Sequence, residues 1–334
     1  MIRISVASSI PRHLRDLGVD PDALVAADGF EMSVFDEPDR AAPYADLVRM
    51  VDSAAAMTGC PHFGLLVGEA AGLDTLRKLG DEMRKSRTIR NALELLQDGY
   101  SSFDRGGALD ISFGVDTVDV RYVVIDHKVT SASHLGDVAS SAACSILQDL
   151  CGPEWTASAV QLPRRRPTDE TPYRKLFKCA LAFNRLATTI QFPASWLGKP
   201  VRSPLEGCRA EFTPEDGVSL IDHIASICVT TLISGNVPSS RSVAREVAVS
   251  ERTLLRRLEE HGRSFSSIFA QTRQLAAIRL LNDTDAPLKE ISSSLGYSEL
   301  SAFTRAFRGW TGQPPSRFRI GARERDQRNP RAGT

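Results

Sequence analysis

The 334-residue chain contains no apolar run approaching the roughly 18 residues that a membrane span requires. Pro11-Arg12-His13 interrupts its start before a secretory hydrophobic segment can form. A cytoplasmic protein without a membrane partner is therefore expected. None of the six cysteines (Cys60, Cys144, Cys151, Cys179, Cys208, Cys228) belongs to a C-x-x-C pair, so their spacing fits neither a zinc knuckle nor a disulfide framework. There is no G-x-S-x-G, no H-E-x-x-H and no phosphate-cradling glycine loop, and no catalytic residue, cofactor or metal is expected. His127 and His134 lie seven residues apart, but no acidic or thiol ligand completes a set. Net charge is missing too. The 41 basic residues face 41 acidic ones, which at face value argues against nucleic acid, because phosphate neutralisation needs a basic surface.

That zero is a cancellation. Asn236 to Thr334 holds 17 basic and 10 acidic residues, leaving 24 and 31 in Met1 to Gly235, so the two parts carry +7 and −7. Moving the cut back to Phe212 lowers the contrast to +4 and −4 and keeps its sign. Lys289 is the one lysine among the 17, and the other 16 are arginines, whose planar forks suit phosphate oxygens and guanine edges. The C-terminal third can bind nucleic acid, although an arginine-rich face is often only a solvated one.

Apolar spacing divides the chain. Ser9-Ile10-Pro11 and Asp20-Pro21 open short helices to Leu17 and Ala27. Pro43 to Thr58 carries apolar residues at 44, 47, 48, 51, 54 and 55, and Thr88 caps a helix through Leu96. The period then changes to two: Leu109, Ile111, Phe113 and Val115, an interruption at Asp116-Thr117, then Val118, Val120, Tyr122 and Val124 predict a β-hairpin with one apolar face. A helix over Ser133 to Leu150 follows. Strands near Ser158 to Gln161, Ala180 to Phe183 and Thr188 to Phe192, with a helix at Pro172 to Phe177, complete an α+β region with a small antiparallel sheet up to about residue 205. Arg164-Arg165-Arg166, between Pro163 and Pro167, reads as a solvated loop. A boundary is expected between Gly198 and Glu215, with a linker at 206–216, and everything from Gly217 to about 323 is helical before a tail at 324–334.

Within the helical third, one pattern occurs twice. Val243-Ala244-x-x-Val247-Ala248-Val249-Ser250-Glu251 returns 48 residues later as Ile291-Ser292-x-x-Leu295-Gly296-Tyr297-Ser298-Glu299. Beyond the turn the offset becomes 49, pairing Leu254 with Phe303, Arg256 with Arg305 and Leu258 with Phe307, so the second turn is one residue longer. Each unit predicts a helix-turn-helix, over about 240–261 and 288–309. Val243 and Val247 pack against Leu254 and Leu258, while Ser250 caps the second helix and leaves Arg252, Thr253, Leu255 and Arg256 facing outward. In the second unit Ser298 is the expected cap, Phe303 and Phe307 face inward, and Leu300, Ser301, Ala302 and Arg305 face out. The segment Ser264 to Leu281 links the two units. Successive grooves on one face of a duplex would place the outward helices roughly 34 Å apart.

Here the chain resembles a known family. Gly296-Tyr297-Ser298-Glu299-Leu300-Ser301-Ala302-Phe303-Thr304-Arg305-Ala306-Phe307-Arg308-Gly309-Trp310-Thr311-Gly312-Gln313-Pro314-Pro315, continuing through Arg319, is similar to the signature of AraC/XylS-type transcription regulators. The resemblance covers Gly217 to Gly321. It implies an all-α DNA-binding domain with two tandem helix-turn-helix motifs, and DNA contact by Arg252, Leu255 and Arg256 in one recognition helix and Leu300, Ser301, Ala302 and Arg305 in the other. Ala248 stands where the first turn often has glycine. The front of the chain also resembles an arabinose-binding-type effector domain of that family, through Phe63-Gly64-Leu65-Leu66-Val67-Gly68-Glu69, the helix Ile89 to Leu96, the hairpin, and Gly152-Pro153-Glu154-Trp155 leading to Leu162. It implies small-molecule sensing and dimerisation by residues 1–205, and assigns no effector-binding residue.

The function so implied is a sequence-specific DNA-binding transcription regulator, an activator responding to a small molecule. Its expected partners are double-stranded operator half-sites, the effector, a second copy of the chain and RNA polymerase. Two alternatives remain at this point. Cys144 and Cys151, seven apart on one helix, can share a face and sense oxidation, although buried apolar thiols are the simpler reading. A DNA-repair enzyme can carry the same DNA-binding module, but the Pro-Cys-His-Arg setting of its acceptor cysteine is absent.

Overall fold

A computed structural model describes residues 1–29, 31–202 and 219–328 of the chain. Strand β1 (Ile2–Arg3) pairs antiparallel with β2 (Ala41–Ala42), enclosing helices α1 (Ile10–Asp16) and α2 (Pro21–Asp28). In α3 (Tyr44–Thr58) the helical apolar stripe is buried throughout, and Gly59 ends the helix in the left-handed region at φ 61°. Helices α4 (Phe63–Glu69) and α5 (Lys78–Arg84) follow; each is seven residues long, too short for a periodicity to show. Thr88 caps α6 (Ile89–Phe103) as expected, its hydroxyl accepting the Asn91 amide at 3.3 Å.

The hairpin is present as β3 (Gly107–Phe113) and β4 (Thr117–Val124), with Phe113 opposite Val118. Val115 is not part of the strand. It sits in the turn and is 94% exposed, because the turn starts earlier than the alternation implied, with the Gly114 amide bonded to the Thr117 carbonyl. Helix α7 (Ser133–Cys151), strand β5 (Ala159–Gln161), helix α8 (Thr171–Phe177) and strands β6 (Ala180–Ala182) and β7 (Thr188–Pro193) complete the region. The five strands run in the order β3-β4-β7-β5-β6. This sheet is mixed rather than antiparallel, since β5 and β6 pair in parallel. Helix α8 supplies the crossover that parallel pairing demands. One hydrophobic core runs from Ile2 to Val201 and includes both sheet and helices.

Glycine decides one packing contact. Helix α4 lies so close to α7 that a Cβ on Gly68 would stand 2.0 Å from the Ser141 hydroxyl and 2.3 Å from the Val138 carbonyl oxygen. Backbone atoms of a helix cannot yield as a side-chain tip can. Gly68→Ala is therefore expected to destabilise the N-terminal region by about 1–3 kcal/mol, read as a lower urea midpoint; an unchanged midpoint would show that α4 can slide away.

The arginine run Arg164 to Arg166 is solvated only at Arg166, which is exposed. Arg164 turns inward to the fully buried Asp137 and to Tyr173, Arg165 lies 3.3 Å from Asp285, and Arg166 pairs with Glu170. Flanking prolines describe the backbone path and not where these side chains end.

The C-terminal region is helical: α9 (Leu220–Ile233), α10 (Ser240–Glu246), α11 (Glu251–Glu260), α12 (Phe265–Asp283), α13 (Leu288–Ser294), α14 (Leu300–Thr311) and α15 (Pro315–Arg328). It has two cores. Ile224, Cys228, Val243, Leu254, Leu258 and Ile268 form the first, and Leu281, Ile291, Leu295, Phe303 and Phe307 belong to the second. The nineteen residues of α12 reach both, with Ile268 in one and Ala277, Leu280 and Leu281 in the other. The linker expected at 206–216 lies outside the described residues, and α15 continues past 323 to Arg328.

Candidate nucleic-acid interface and effector cavity

The two repeats fold alike. In the first, α10 ends at Glu246 with Val247 as its C-cap, Ala248 turns the chain at φ 54°, and Ser250 caps α11 by accepting the Thr253 amide at 3.1 Å. A non-glycine residue in that region is strained. In the second, α13 ends at Ser294 with Leu295 as its C-cap, Gly296 turns the chain at φ 74°, and α14 starts at Leu300. Four residues separate α10 from α11 and five separate α13 from α14, as the change of offset requires. One expectation fails: Ser298 does not cap α14. Glu299 holds that position, without a side-chain bond, because the extra residue moves the helix start one step beyond the serine.

Burial fixes which face is free. Leu254, Leu258, Phe303 and Phe307 are fully buried. Opposite them Arg252, Leu255 and Arg256 on α11, with Ser250 before it, are exposed, and Thr253 is half-buried. On α14, Leu300, Ser301 and Arg305 are exposed and Ala302 is half-buried, with Ser298 exposed ahead of them. Arg256 pairs with Glu260 one turn on, both ends being more than half exposed. Such a pair is worth only about 0–1 kcal/mol, so a phosphate or base edge can displace it. Other arginines of this region point inward: Arg273 stacks on Phe269 and Tyr297, Arg319 donates to the Ala286 carbonyl at 2.6 Å, and Arg279 is engaged by the N-terminal region. The arginine count therefore overstates the basic surface.

A second site lies inside the N-terminal region, where α6 and α7 cover the sheet. It is a cavity of about 80 Å³ walled by Leu96, Val120, Val138, Ala142, Leu147 and Ile190, among other apolar side chains. At one end stand Tyr100, Asp104 and Tyr122. The Asp104 carboxylate accepts the Gly106 and Gly107 amides at 2.7 and 3.0 Å, and the Tyr122 and Tyr100 hydroxyls at 3.0 and 3.3 Å. Tyr44 is hydrogen-bonded to Tyr122 behind them. Sequence reasoning placed Tyr122 on the inner face of the hairpin but missed Asp104, whose partners come from three separate segments.

Two family models cover most of the chain. The arabinose-binding domain of AraC transcription regulators matches residues 18–201, and a helix-turn-helix domain matches 243–320. The chain belongs to the AraC family. It is similar along 92% of both chains to the HTH-type transcriptional regulator VirS of Mycobacterium tuberculosis, at 24% identity, and along 96% of both to the ornithine utilization regulator of Pseudomonas aeruginosa, at 23%. A crystal structure of the transcriptional regulator CdpR of Pseudomonas aeruginosa aligns with 92% of this chain and 98% of its own, at 24% identity and a TM-score of 0.40. The chain is thus a DNA-binding transcription regulator with an effector-binding N-terminal region. No described helix is long and apolar enough to cross a membrane.

In this AraC-family protein the thiol alternative loses its basis. Cys144 and Cys151 are both buried, and burial pushes their thiols up, Cys151 to about 12. Neither supplies the thiolate that oxidation needs. Cys208 lies outside the described residues.

The buried carboxylate gives the family member a pH signature. Burial is the largest influence on Asp104 and pushes it up to about 6, against the opposing pull of its amide and Tyr122 hydrogen bonds. A carboxyl that is raised in the folded state holds its proton more tightly there than in the unfolded chain. Its contribution to stability falls as pH rises from about 4 to 6 and is flat above. Asp104→Asn keeps an acceptor for Gly106 and Gly107 and abolishes the charge. It is expected to raise stability at pH 7 by about 1–3 kcal/mol and to flatten the slope between pH 4 and 6. Urea unfolding at pH 5, 6 and 7 checks this, and an unaltered slope in the variant would remove Asp104 as its source.

Proposed function

We propose that this AraC-family regulator reads DNA with α11 and α14 as tandem helix-turn-helix recognition helices, and that a small molecule in the α6–α7 cavity sets how well it does so. The observation that carries the reading is the pair Arg252 and Arg256, exposed one turn apart on a helix whose other face is locked by Leu254 and Leu258. Arg256 is assigned a bidentate base contact, and Ser301 and Arg305 accompany it in the second groove. Leu255 and Leu300, 38% and 40% exposed, suit thymine methyl groups rather than hydrogen-bonded readout. Residues 1–205 are assigned to effector binding and dimerisation, and 217–323 to DNA. With a modest basic surplus, tight binding is best supplied by two motifs per chain and two chains per operator. In the cell the protein acts on cytoplasmic DNA and through RNA polymerase.

The test is Arg256→Ala in the full chain, titrated on an operator selected from a random library and on unrelated DNA. A loss of about 1–3 kcal/mol confined to the selected site is expected for a base contact. Equal losses on both DNAs would make Arg256 a phosphate contact only, and undiminished binding to both would refute α11 as a recognition helix.

A further inference from the structure

We infer that the α6–α7 cavity takes a small, predominantly apolar molecule with a single hydrogen-bond donor, a neutral alcohol of a few carbons, and rejects both sugars and carboxylates. This rests on the proposal above that the cavity is the effector site. The room is made by α7, where Ala139, Ala142 and Ala143 face the cavity and remain half-exposed although they point inward. Around them the wall is aliphatic and aromatic.

Among the described residues five polar side chains reach the lining, Thr75, Tyr100, Asp104, Tyr122 and Thr188, and all but Thr75 are already committed. Asp104 has four donors on its two oxygens, and Tyr122 is shared between Asp104 and Tyr44. Thr188 donates to the Gly136 carbonyl at 3.4 Å. Tyr100 donates to Asp104, so its hydroxyl oxygen can still accept, and the Thr75 hydroxyl is uncommitted among the described residues. These two oxygens can receive the donor of a small ligand. A sugar would bring several hydroxyls into a site that pairs one or two, and each of the rest would leave water without replacement. A carboxylate fares worse: no lysine, arginine or histidine lines the cavity, and the acidic side chain that does, Asp104, faces it with like charge. A short apolar chain with one hydroxyl satisfies both walls and end, and about 80 Å³ leaves no room for more.

Thermal unfolding of the full chain with 1-propanol, propionate or glycerol at equal concentration tests this, three probes of one carbon number that suit a cavity of about 80 Å³. Propanol is expected to raise Tm by about 3–5 °C near saturation, and the other two to leave it within 1 °C or so. Ala142→Leu fills the cavity and should abolish the propanol shift while DNA binding without ligand is retained. Should that variant not fold, Ala139→Leu takes its place. A shift by propionate or glycerol that Ala142→Leu removes would overturn the ligand class and leave the site standing. A propanol shift that survives the substitution would overturn the site itself, and no shift with any probe would overturn the ligand class.

Discussion

Phe307→Ala is expected to destabilise the second helical unit by about 3–5 kcal/mol, the usual cost of deleting a fully buried phenylalanine. The ring is fully buried at the centre of an aromatic cluster, with centroids of Phe318 at 5.3 Å, Phe303 at 5.8 Å and Trp310 at 6.3 Å. These partners come from α14 and α15, so the space cannot close by moving one side chain. Since α14 carries Leu300, Ser301 and Arg305 on its opposite face, their positions depend on this contact. DNA affinity should fall with stability, whereas the first unit, with its separate core around Leu254 and Leu258, should keep its helicity. Chemical unfolding followed by far-ultraviolet dichroism, with hydrogen exchange read separately at the amides of α11 and α14, measures both. A destabilisation below about 1 kcal/mol would mean that the cluster repacks.

The helical third was readable because its information is local. A repeat at offset 48 shifting to 49 fixed the two turns, the inward Phe303 and Phe307 and the outward Arg252 and Arg256 without reference to any distant residue. Ser298 shows the limit even there, since a one-residue lengthening of the turn passes the cap position to Glu299. In the N-terminal region the helices and hairpin followed from periodicity, but the parallel pairing of β5 with β6 and the inward turn of Arg164 toward Asp137 depend on partners far along the chain. That the hairpin and helices can enclose a pocket was readable, but not which side chains line it. Its walls gather α6, α7 and four strands, and alanine at 139, 142 and 143 looks the same in sequence whether it faces a neighbour or a void.

Arg279→Ala should have the largest consequence for how the two regions act together. Arg279 leaves α12 to donate to the carbonyls of Val124, Asp126 and Val129, the last at 2.8 Å, at the end of β4 and in the segment joining it to α7. One turn on, Asp283 accepts the Ala132 amide at 2.9 Å and the Ser131 hydroxyl, and Asn282 donates to the Thr130 carbonyl at 2.7 Å. That segment sits between the strand and the helix that wall the cavity, and α12 joins the two DNA-facing units. Tyr122 and Thr188 line this cavity on one side, and on the other a second cavity closed by Leu232, Arg279, Leu280 and Leu295. A displacement at Tyr122 therefore changes a cavity that α12 also walls. Removing Arg279 strips three carbonyls of a charged donor, a loss of about 3–5 kcal/mol at this contact. Expected results are faster hydrogen exchange at the Ala132 amide, and separation of a single thermal transition into two. DNA affinity should also stop responding to any ligand of the cavity, while DNA binding without ligand persists. If exchange at Ala132 and the ligand response both match the unaltered protein, α12 does not carry the signal.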